Sequence, residues 1–416
     1  MGNKVRKRIL FLGGMYIEDN KNIFVKNSKR GIDIAADLFQ WRLLNGLSDN
    51  ENVEKITVAS VPFILPFPKL NNLKKIRSYF EIINSKLSIY SLKFNNLVLY
   101  KNLSRYFSLR KFMTENKEII NESDTLLVYS LHTPLLKAAL FAKKINPKIK
   151  LVVVVPDLPE YMDLNQRFIK KAFKKIDSKL IYSIVTKFDG YILLTEQMKQ
   201  KLNLGNKPSI IIEGIAMPTN NKHNSIEILD NNYTNIVYTG GISKEYGVID
   251  LVNGFHQIKN ENIRLIICGS GKDAGYIENL SQQDNRIVYL GQVDNTIAVQ
   301  LQNHADILVN PRPNIGEYTK YSFPSKTIEY LAAGKILIAN KLDGIPSEYD
   351  EYIYYIDKMN NGSFKEALIE VISWSDEERD KFGKKAKDFI LKNKTQNIVT
   401  SKILKFIDDI NMEVTK

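Results

Sequence analysis

Short apolar runs that end in glycine recur along the chain of 416 residues. The first covers residues 9–12 and is followed by Gly13 and Gly14, and later runs enter the glycine pairs Gly240-Gly241 and Gly269-Ser270-Gly271. Segments with the hydrophobic period of a helix separate these runs. Strands that alternate with helices and glycine turns indicate parallel sheets covered by helices on both faces. We therefore predict an α/β fold made of doubly wound, Rossmann-like domains.

The length of the chain and a change in composition near its middle predict two domains. A chain of this length exceeds what a single hydrophobic core usually sustains. Residues 217–235 are polar and rich in asparagine, which is typical of a linker. After this segment the pattern of strand, glycine turn and helix starts again.

The composition excludes several classes of function. The chain has one cysteine, Cys268, and four histidines, so neither an internal disulfide nor a thiol-based metal cluster is expected. The basic start of the chain precedes an apolar run that is too short for a signal peptide, and no later segment is long and apolar enough to span a membrane. We expect a cytoplasmic protein without a bound metal.

Positive charge is concentrated in the first half of the chain. Residues 1–210 carry 36 Lys and Arg against 18 Asp and Glu, a net charge of +18, whereas the remainder carries 23 against 28, a net charge of −5. Residues 69–113 interleave basic side chains such as Lys74, Lys75 and Arg77 with aromatic and aliphatic ones. This mixture suits the surface of an anionic membrane, although a solvated helix face above core residues would look similar. Nucleic acid is not expected, because no nucleic-acid-binding motif accompanies the charge.

The segment 306–334 combines a buried strand, a loop and a helix that ends at Gly334. The amino end of such a helix offers unpaired N–H groups and a positive dipole end, which suits a phosphate. Lys326 would add a positive charge beside that end. Glu329, about one turn inside the helix, is placed to accept hydrogen bonds from two sugar hydroxyls. The alternative is an ordinary amphipathic helix after a turn.

The string Tyr-Ser-Phe-Pro-Ser-Lys over residues 321–326, followed by Glu-Tyr-Leu-Ala-Ala-Gly over residues 329–334, resembles a known motif. It is similar to the donor-binding motif of retaining, nucleotide-sugar-dependent glycosyltransferases of the GT-B fold, of the bacterial surface-polysaccharide type. The resemblance implies two Rossmann-like domains that face each other across a cleft. It implies an acceptor-binding domain over residues 1–215, a nucleotide-sugar-binding domain over residues 216–385, and a helical segment over residues 386–416 that packs back on the first domain.

The resemblance also assigns a donor site. It places Glu329 on the ribose, Gly269, Gly271 and Val293 around the nucleobase, and Gly14 near the donor phosphate, although the glycine pair at Gly14 also reads as a plain turn. The predicted donor-binding residues are Gly14, Gly240, Gly241, Lys244, Gly269, Gly271, Val293, Arg312, Tyr321, Ser325, Lys326 and Glu329.

Three positions depart from the family pattern. Tyr321 stands where a glutamate usually contacts the transferred sugar. Gly241 and Tyr246 stand where an arginine and a lysine usually serve the diphosphate. If the chemistry is the same, Lys244, Arg312 or Lys326 must supply the positive charge.

Two further candidates follow predicted strands of the first domain. His132 comes after the run 125–129, and Asp157 comes after the β-branched run 151–155. The carboxyl ends of parallel strands are where open α/β sheets bind ligands. A histidine there can exchange protons with a reacting hydroxyl, and Asp157 can orient an acceptor hydroxyl or cap a turn. A lone histidine is more often structural, but the resemblance implies that His132 lies near the transferred sugar and is catalytic.

Together these features predict a glycosyltransferase that moves a hexose from a nucleotide diphosphate sugar, with UDP as the expected nucleotide, and retains the anomeric configuration. The resemblance implies a lipid-linked or polysaccharide acceptor, capsule-type glycan synthesis at the inner face of the membrane, and no cofactor or metal. The alternative from another class is a non-catalytic nucleotide-sugar or glycan binder. A phosphorylase-like or epimerase-like enzyme of the same fold is a further alternative, but we identify no lysine suited to pyridoxal phosphate.

Overall fold

The structure, a computed structural model, describes residues 6–161, 168–217, 229–230, 232–356 and 363–412, except for the side chains of residues 19 and 168–173. The chain divides into two compact units, the first formed by Met1–Ile215 with Gln396–Lys416 and the second by Ala216–Thr395. Residues 218–228 and 231 of the predicted linker lie outside the described part of the chain. Its last two residues already belong to the first strand of the second unit.

The first unit contains an eight-stranded sheet with the order β10-β9-β8-β7-β1-β2-β5-β4. Its neighbours run parallel, except that β4 is antiparallel to β5. Two short strands, β3 and β6, pair separately. The strands are β1 Lys7–Gly13, β2 Val53–Ser60, β3 Lys75–Ile76, β4 Tyr79–Ile82, β5 Leu87–Ser91, β6 Phe94–Asn95, β7 Thr125–Tyr129, β8 Lys150–Val155, β9 Gly190–Leu193 and β10 Ser209–Ile211.

In the described part of the first unit, seven helices precede its return segment. They are α1 Glu18–Asn27, α2 Ile34–Asp49, α3 Lys101–Glu115, α4 Lys117–Glu122, α5 Thr133–Ile145, α6 Phe168–Val185 and α7 Gln197–Lys201. The sequence sets several of their starts. The Asp33 carboxylate caps α2 by accepting a hydrogen bond from the Ala36 N–H. A proline in the first turn of α5 occupies a position where no N–H is needed.

The second unit contains a six-stranded, wholly parallel sheet with the order β13-β12-β11-β14-β15-β16. Its strands are β11 Thr234–Thr239, β12 Ile263–Cys268, β13 Ile287–Tyr289, β14 Ile307–Asn310, β15 Ile336–Ala339 and β16 Tyr354–Tyr355. Its helices are α8 Val248–His256, α9 Ala274–Gln283, α10 Asn295–His304, α11 Ser325–Ala333, α12 Phe364–Ser373 and α13 Asp376–Asn393.

Alternation along the second sheet explains its two covered faces. On β11, Ile236 belongs to one apolar cluster and Val237 to the other. The same split separates Ile307 from Leu308 on β14. Since successive strand residues point to opposite faces, a continuous apolar run supplies both layers of core. The predicted α/β class with doubly wound parallel sheets is confirmed.

The last helix, α14 Gln396–Met412, belongs to the first unit and packs against α2 and strands β8 to β10. Its Thr400 hydroxyl donates to the Gly46 carbonyl of α2 at 3.1 Å. The return to the first unit therefore begins at Gln396 and not at residue 386. The boundary differs because α13 runs unbroken to Asn393 and packs against α11 and β15 of the second unit.

Candidate functional site

The topology of the second sheet brings most of the predicted donor-binding residues to one edge. Strand β11 lies between β12 and β14, so successive connections run in opposite directions from it. This is the topological switch point, where open α/β sheets bind ligands outside the carboxyl ends of their strands. The loops after β11, β12, β13 and β14 carry Gly240 to Lys244, Gly269 to Gly271, Val293, and Arg312 respectively.

The glycine loops after β11 and β12 are nested into each other. The Gly240 N–H donates to the Cys268 carbonyl at 2.9 Å, and the Ile242 N–H donates to the Ser270 carbonyl at 3.0 Å. Gly269 has a φ of 142°, and a Cβ there would overlap the Gly240 carbonyl oxygen. Glycine is required because a side chain would separate the two loops.

Helix α11 is fixed to the end of β11 by a buried tyrosine. The Tyr330 hydroxyl accepts a hydrogen bond from the Thr239 N–H at 2.9 Å and lies 3.1 Å from both the Thr239 carbonyl and the Thr239 hydroxyl. Gln302 of α10 donates to the same threonine hydroxyl at 2.7 Å. These contacts hold the middle of α11 beside the switch point.

The first turn of α11 has the features that suit an anion. Pro324 precedes the helix, and no side chain caps its first N–H groups, which belong to Ser325 and Lys326. Burial raises the pKa of the Cys268 thiol, at the end of β12, to about 11. The positive charge of Lys326 acts in the opposite direction, which indicates that Lys326 lies near this end of β12. The helix ends at Gly334, which has a φ of 77°.

Lys326 and Glu329 form an ion pair with each other. Lys326 Nζ lies 2.9 Å from Glu329 Oε2, and both side chains are at least two-thirds buried. The sequence predicted separate roles for the two residues and did not predict this pair. Residues three positions apart are neighbours on a helix surface, so the spacing of Lys326 and Glu329 could have predicted the ion pair.

The loop between β14 and α11 is organised by aromatic side chains. The Arg312 guanidinium lies 5.2 Å from the Tyr318 ring centre and donates to the Ser322 hydroxyl at 3.1 Å. The Tyr321 hydroxyl donates to Glu317 Oε1 at 3.0 Å. Tyr321 therefore sits beside a carboxylate, although the family's usual glutamate is missing at its own position.

The two other departures from the family pattern are structurally linked. Tyr246 is 48% exposed, and its ring lies over Gly241 so closely that a Cβ at residue 241 would crowd it. A larger residue at position 241 would therefore require the Tyr246 ring to move. The exposed Lys244 remains near this loop, and its N–H donates to Asp273 Oδ2 at 2.7 Å.

The predicted residues of the first unit lie at the carboxyl edge of its sheet. His132 directly precedes α5, and the exposed Asp157 follows β8. Burial raises the pKa of Tyr129, and the nearby charges of Asp33 and Asp157 raise it further. Burial is the main cause that lowers the pKa of His132 to about 3, and the charges of Arg105 and Lys101 lower it further. The imidazole is therefore neutral at physiological pH, and its catalytic role stays a prediction.

Gly14 makes its hydrogen bonds within the first unit. Its N–H donates to Gln40 Oε1 at 2.9 Å, its carbonyl accepts from the Phe63 N–H at 2.9 Å, and the Phe63 ring covers its Cα. Both polar groups of Gly14 are thus used inside the unit, and its place near the donor phosphate stays a prediction. The polar residues Asp37 and Gln40 on α2 were the sequence signal for these contacts. Like Gln40, the Asp37 carboxylate accepts a hydrogen bond from this loop, in its case from the Tyr16 N–H.

Sequence reasoning also missed two buried cations. Arg105, which is 1% exposed, and Lys101 lie one turn apart on α3 and donate to the backbone after β2. Their spacing of four residues on a helix was a signal, but both were counted with the surface charges.

Among the residues that the structure describes, no group of three or more His, Cys, Asp or Glu side chains could hold a metal. No helix in the same part of the chain is long and apolar enough to cross a membrane.

Residues 220–389, which lie within the second unit, match the family model of Glycosyl transferases group 1. Solved structures with the GT-B fold superpose on nearly the whole chain. Sucrose-phosphate synthase from Thermosynechococcus elongatus gives a TM-score of 0.66 at 13% identity, with 97% of this chain and 99% of that chain covered. Anabaena HepE in complex with UDP gives 0.60 at 13% identity, with 97% and 100% covered.

A UDP-forming trehalose-phosphate synthase from Burkholderia xenovorans gives a TM-score of 0.63 at 9% identity, with 97% of this chain and 99% of that chain covered. At such identities the similarity establishes the fold alone. No curated protein sequence matches the chain.

Proposed function

We propose that this protein is a retaining glycosyltransferase that moves a hexose from a UDP-linked sugar to a lipid-linked or polysaccharide acceptor in cell-surface glycan synthesis. The group 1 domain and the shared fold with Anabaena HepE, which was solved with UDP, support this function. The observation that carries it is the position of Lys326 and Glu329 in the first turns of α11, beside the switch point of the sheet.

The donor would bind along the carboxyl edge of the second sheet. The N–H groups of Ser325 and Lys326 and the Lys326 ammonium group are suited to the diphosphate. Glu329 would accept hydrogen bonds from the ribose, which requires that the ion pair with Lys326 opens as the donor enters. The Val293 backbone, whose N–H and carbonyl have no hydrogen-bond partner among the described residues, suits an edge of the nucleobase.

The transfer step would rely on positioning and charge stabilisation, without a cofactor or metal. The leaving diphosphate would help to deprotonate the acceptor hydroxyl on the same face of the sugar. His132, being neutral, would hold a hydroxyl of the transferred sugar by a hydrogen bond, and Asp157 would orient the acceptor.

The acceptor side would lie at an anionic membrane. Five large apolar side chains are exposed around the start of α3, and Leu99 is the most exposed of them, at 95%. The others are Val98, Tyr100, Leu103 and Phe107. The N–H of Asn96, next to this group, donates to the carbonyl of the exposed Lys74. An exposed apolar cluster beside lysines fits a bilayer with anionic head groups and peripheral attachment at its inner face.

One observation favours the alternative of a non-catalytic binder, namely that Gly241 and Tyr246 leave the loop after β11 without the two expected cations. The decisive experiment measures nucleotide release from a panel of nucleotide sugars, since a binder releases none. Glu329→Ala and Lys326→Ala are each expected to weaken UDP-sugar affinity about tenfold to a hundredfold, because a charge-assisted hydrogen bond to a buried ligand is worth about 1.5 to 3 kcal/mol.

Lys385→Ala is the matched control for these variants. Its ion pair with Glu351, at 2.8 Å, also belongs to the second unit, but Glu351 precedes β16 and thus lies toward the opposite edge of the sheet. Calorimetry should give wild-type affinity for this control. If Glu329→Ala and Lys326→Ala also bound the donor as the wild type does, the donor-site assignment would be wrong.

A further inference from the structure

Two basic side chains of α3 point into the first unit and hold one loop. The Arg105 guanidinium donates to the carbonyl of Pro62, and Lys101 Nζ donates to the carbonyl of Ile64 at 3.0 Å. Lys101 and Arg105 are four residues apart, so they occupy the same face of the helix. The loop follows β2, and the cations therefore reach the carboxyl edge of the first sheet.

This cluster contains hydrogen-bonding groups that lack partners. Arg105 Nε and His132 Nδ1 are both buried and have no hydrogen-bond partner among the described residues. The Phe63 ring, which lies between the two loop carbonyls along the chain, is 5.4 Å from the His132 ring centre to centre. Buried polar groups are normally satisfied, so unmet groups on two neighbouring side chains indicate a missing partner.

The cluster also lacks a negative charge. In the described part of the chain, no carboxylate forms an ion pair with Arg105 or Lys101. Burial lowers the pKa of Arg105 to about 9 and that of Lys101 to about 7, and the Arg105 charge lowers the pKa of Lys101 further. Buried charges are usually paired because desolvation without a partner is costly. An anion that enters the cluster would offset this cost.

We propose that Arg105 and Lys101, beside His132, form a subsite for an oxyanion, namely a phosphate or diphosphate group carried by the acceptor. The guanidinium supplies planar N–H donors that match phosphate oxygens, and the lysine adds a positive charge. His132 directly precedes α5, against which α3 packs, so the three side chains converge from two adjacent helices. The assignment to the acceptor rests on the proposed function, whereas the anion site itself does not.

The test compares Lys101→Met with Lys111→Met in the full chain. Lys111 lies on the same helix, but its side chain is 62% exposed. Calorimetry would measure binding of inorganic phosphate, a hexose phosphate and a short-chain prenyl diphosphate, and NMR at constant pH would follow the His132 imidazole. We expect at least one of these compounds to bind and to shift the imidazole resonances, with affinity at least tenfold weaker in Lys101→Met and unchanged in Lys111→Met.

The three compounds distinguish the source of the oxyanion. Tighter binding of the hexose phosphate supports a soluble phosphorylated acceptor, and tighter binding of the prenyl diphosphate supports a lipid-linked one. Binding of inorganic phosphate alone supports the subsite but overturns its assignment to an acceptor. Absence of binding by all three compounds, wild-type affinity in Lys101→Met, or unmoved His132 resonances would overturn the subsite.

Two measurements keep this test separate from folding and from the proposed function. If Lys101→Met does not fold, Lys101→Arg replaces it and is expected to retain binding, because the positive charge remains; loss of binding in a folded Lys101→Arg counts against the subsite. Nucleotide release from UDP-sugars is measured in parallel. Oxyanion binding without any nucleotide release would reject the glycosyltransferase function and leave the anion site standing.

Discussion

At the scale of single residues, the Tyr330 hydroxyl links α11 to the end of β11. The Tyr330→Phe variant keeps the ring but leaves the buried Thr239 N–H without its partner. We expect this variant to lose about 1 to 3 kcal/mol of unfolding free energy, the cost of an unsatisfied buried group. Urea unfolding measures the loss. Tyr276→Phe, which removes a hydroxyl bonded to Asn253 at an exposed position, is the control and should lose less.

His132 gives the first unit a dependence on acidity. Because burial lowers its folded-state pKa to about 3, the unfolded chain takes up a proton at this residue as the pH falls below about 6.5 and the folded chain does not. Acidification between these values therefore lowers the unfolding free energy, by at most about 1.4 kcal/mol per pH unit from this group.

Urea unfolding at several pH values tests this expectation. The measurements should cover pH 4 to 7, the range of about three units in which the protonation of this histidine differs between the folded and unfolded chain. His132→Gln should lose stability less steeply than the wild type on acidification. His304→Gln, at an exposed position, controls for the loss of a histidine. Equal slopes for the wild type and His132→Gln would contradict a buried, neutral His132.

At the scale of elements, the loops after β11 and β12 depend on each other through Gly269. In Gly269→Ala the new methyl group would overlap the Gly240 backbone, and the backbone at φ 142° is unfavourable for alanine. We expect this variant to lose at least about 2 kcal/mol of unfolding free energy and to bind UDP-sugars more weakly. Gly275→Ala in α9 meets open space, so it should be neutral or slightly stabilising. Retention of both wild-type properties in Gly269→Ala would show that the loops are not nested.

Several parallel strands in the middle of each sheet could be predicted, because a strand buried on both faces needs a continuous apolar run. The run at residues 151–155 corresponds to β8, and the run at residues 306–309 corresponds to β14. The antiparallel strand β4 was not predicted. It lies at the edge of its sheet, where Phe80 and Ile82 are exposed, so no buried run marked it.

The candidate site could be predicted only in part, because sequence patterns locate loops but not the partners of side chains. The position of Glu329 in α11 followed from the helix pattern, and the local pair with Lys326 was within reach of the same reasoning. Arg105 was not identified, since its burial depends on the loop after β2, which lies more than 40 residues earlier in the sequence. Contacts of this range follow from the assembled sheet and not from local periodicity.

At the scale of the whole molecule, the uneven charge is the property that single sites do not explain. The half of the chain with a net charge of +18 also contains the exposed apolar group at residues 98–107. Basic side chains near an anionic bilayer contribute about 1 kcal/mol each, and salt screens that attraction within about 10 Å at 0.1 M ionic strength. The apolar part of the attachment should be much less sensitive to salt.

These two contributions can be separated with liposomes. We expect the protein to pellet with anionic vesicles more than with neutral ones, and replacement of Lys74, Lys75 and Arg77 by serine should weaken pelleting and remove most of its salt dependence. A Leu99→Ser, Leu103→Ser variant should pellet less at every salt concentration, because it loses buried apolar area instead of charge. Ile369→Ser, at an exposed position of the second unit, is the control and should pellet as the wild type does. Equal pelleting with neutral and anionic vesicles, or wild-type pelleting of the double leucine variant, would contradict attachment through this surface.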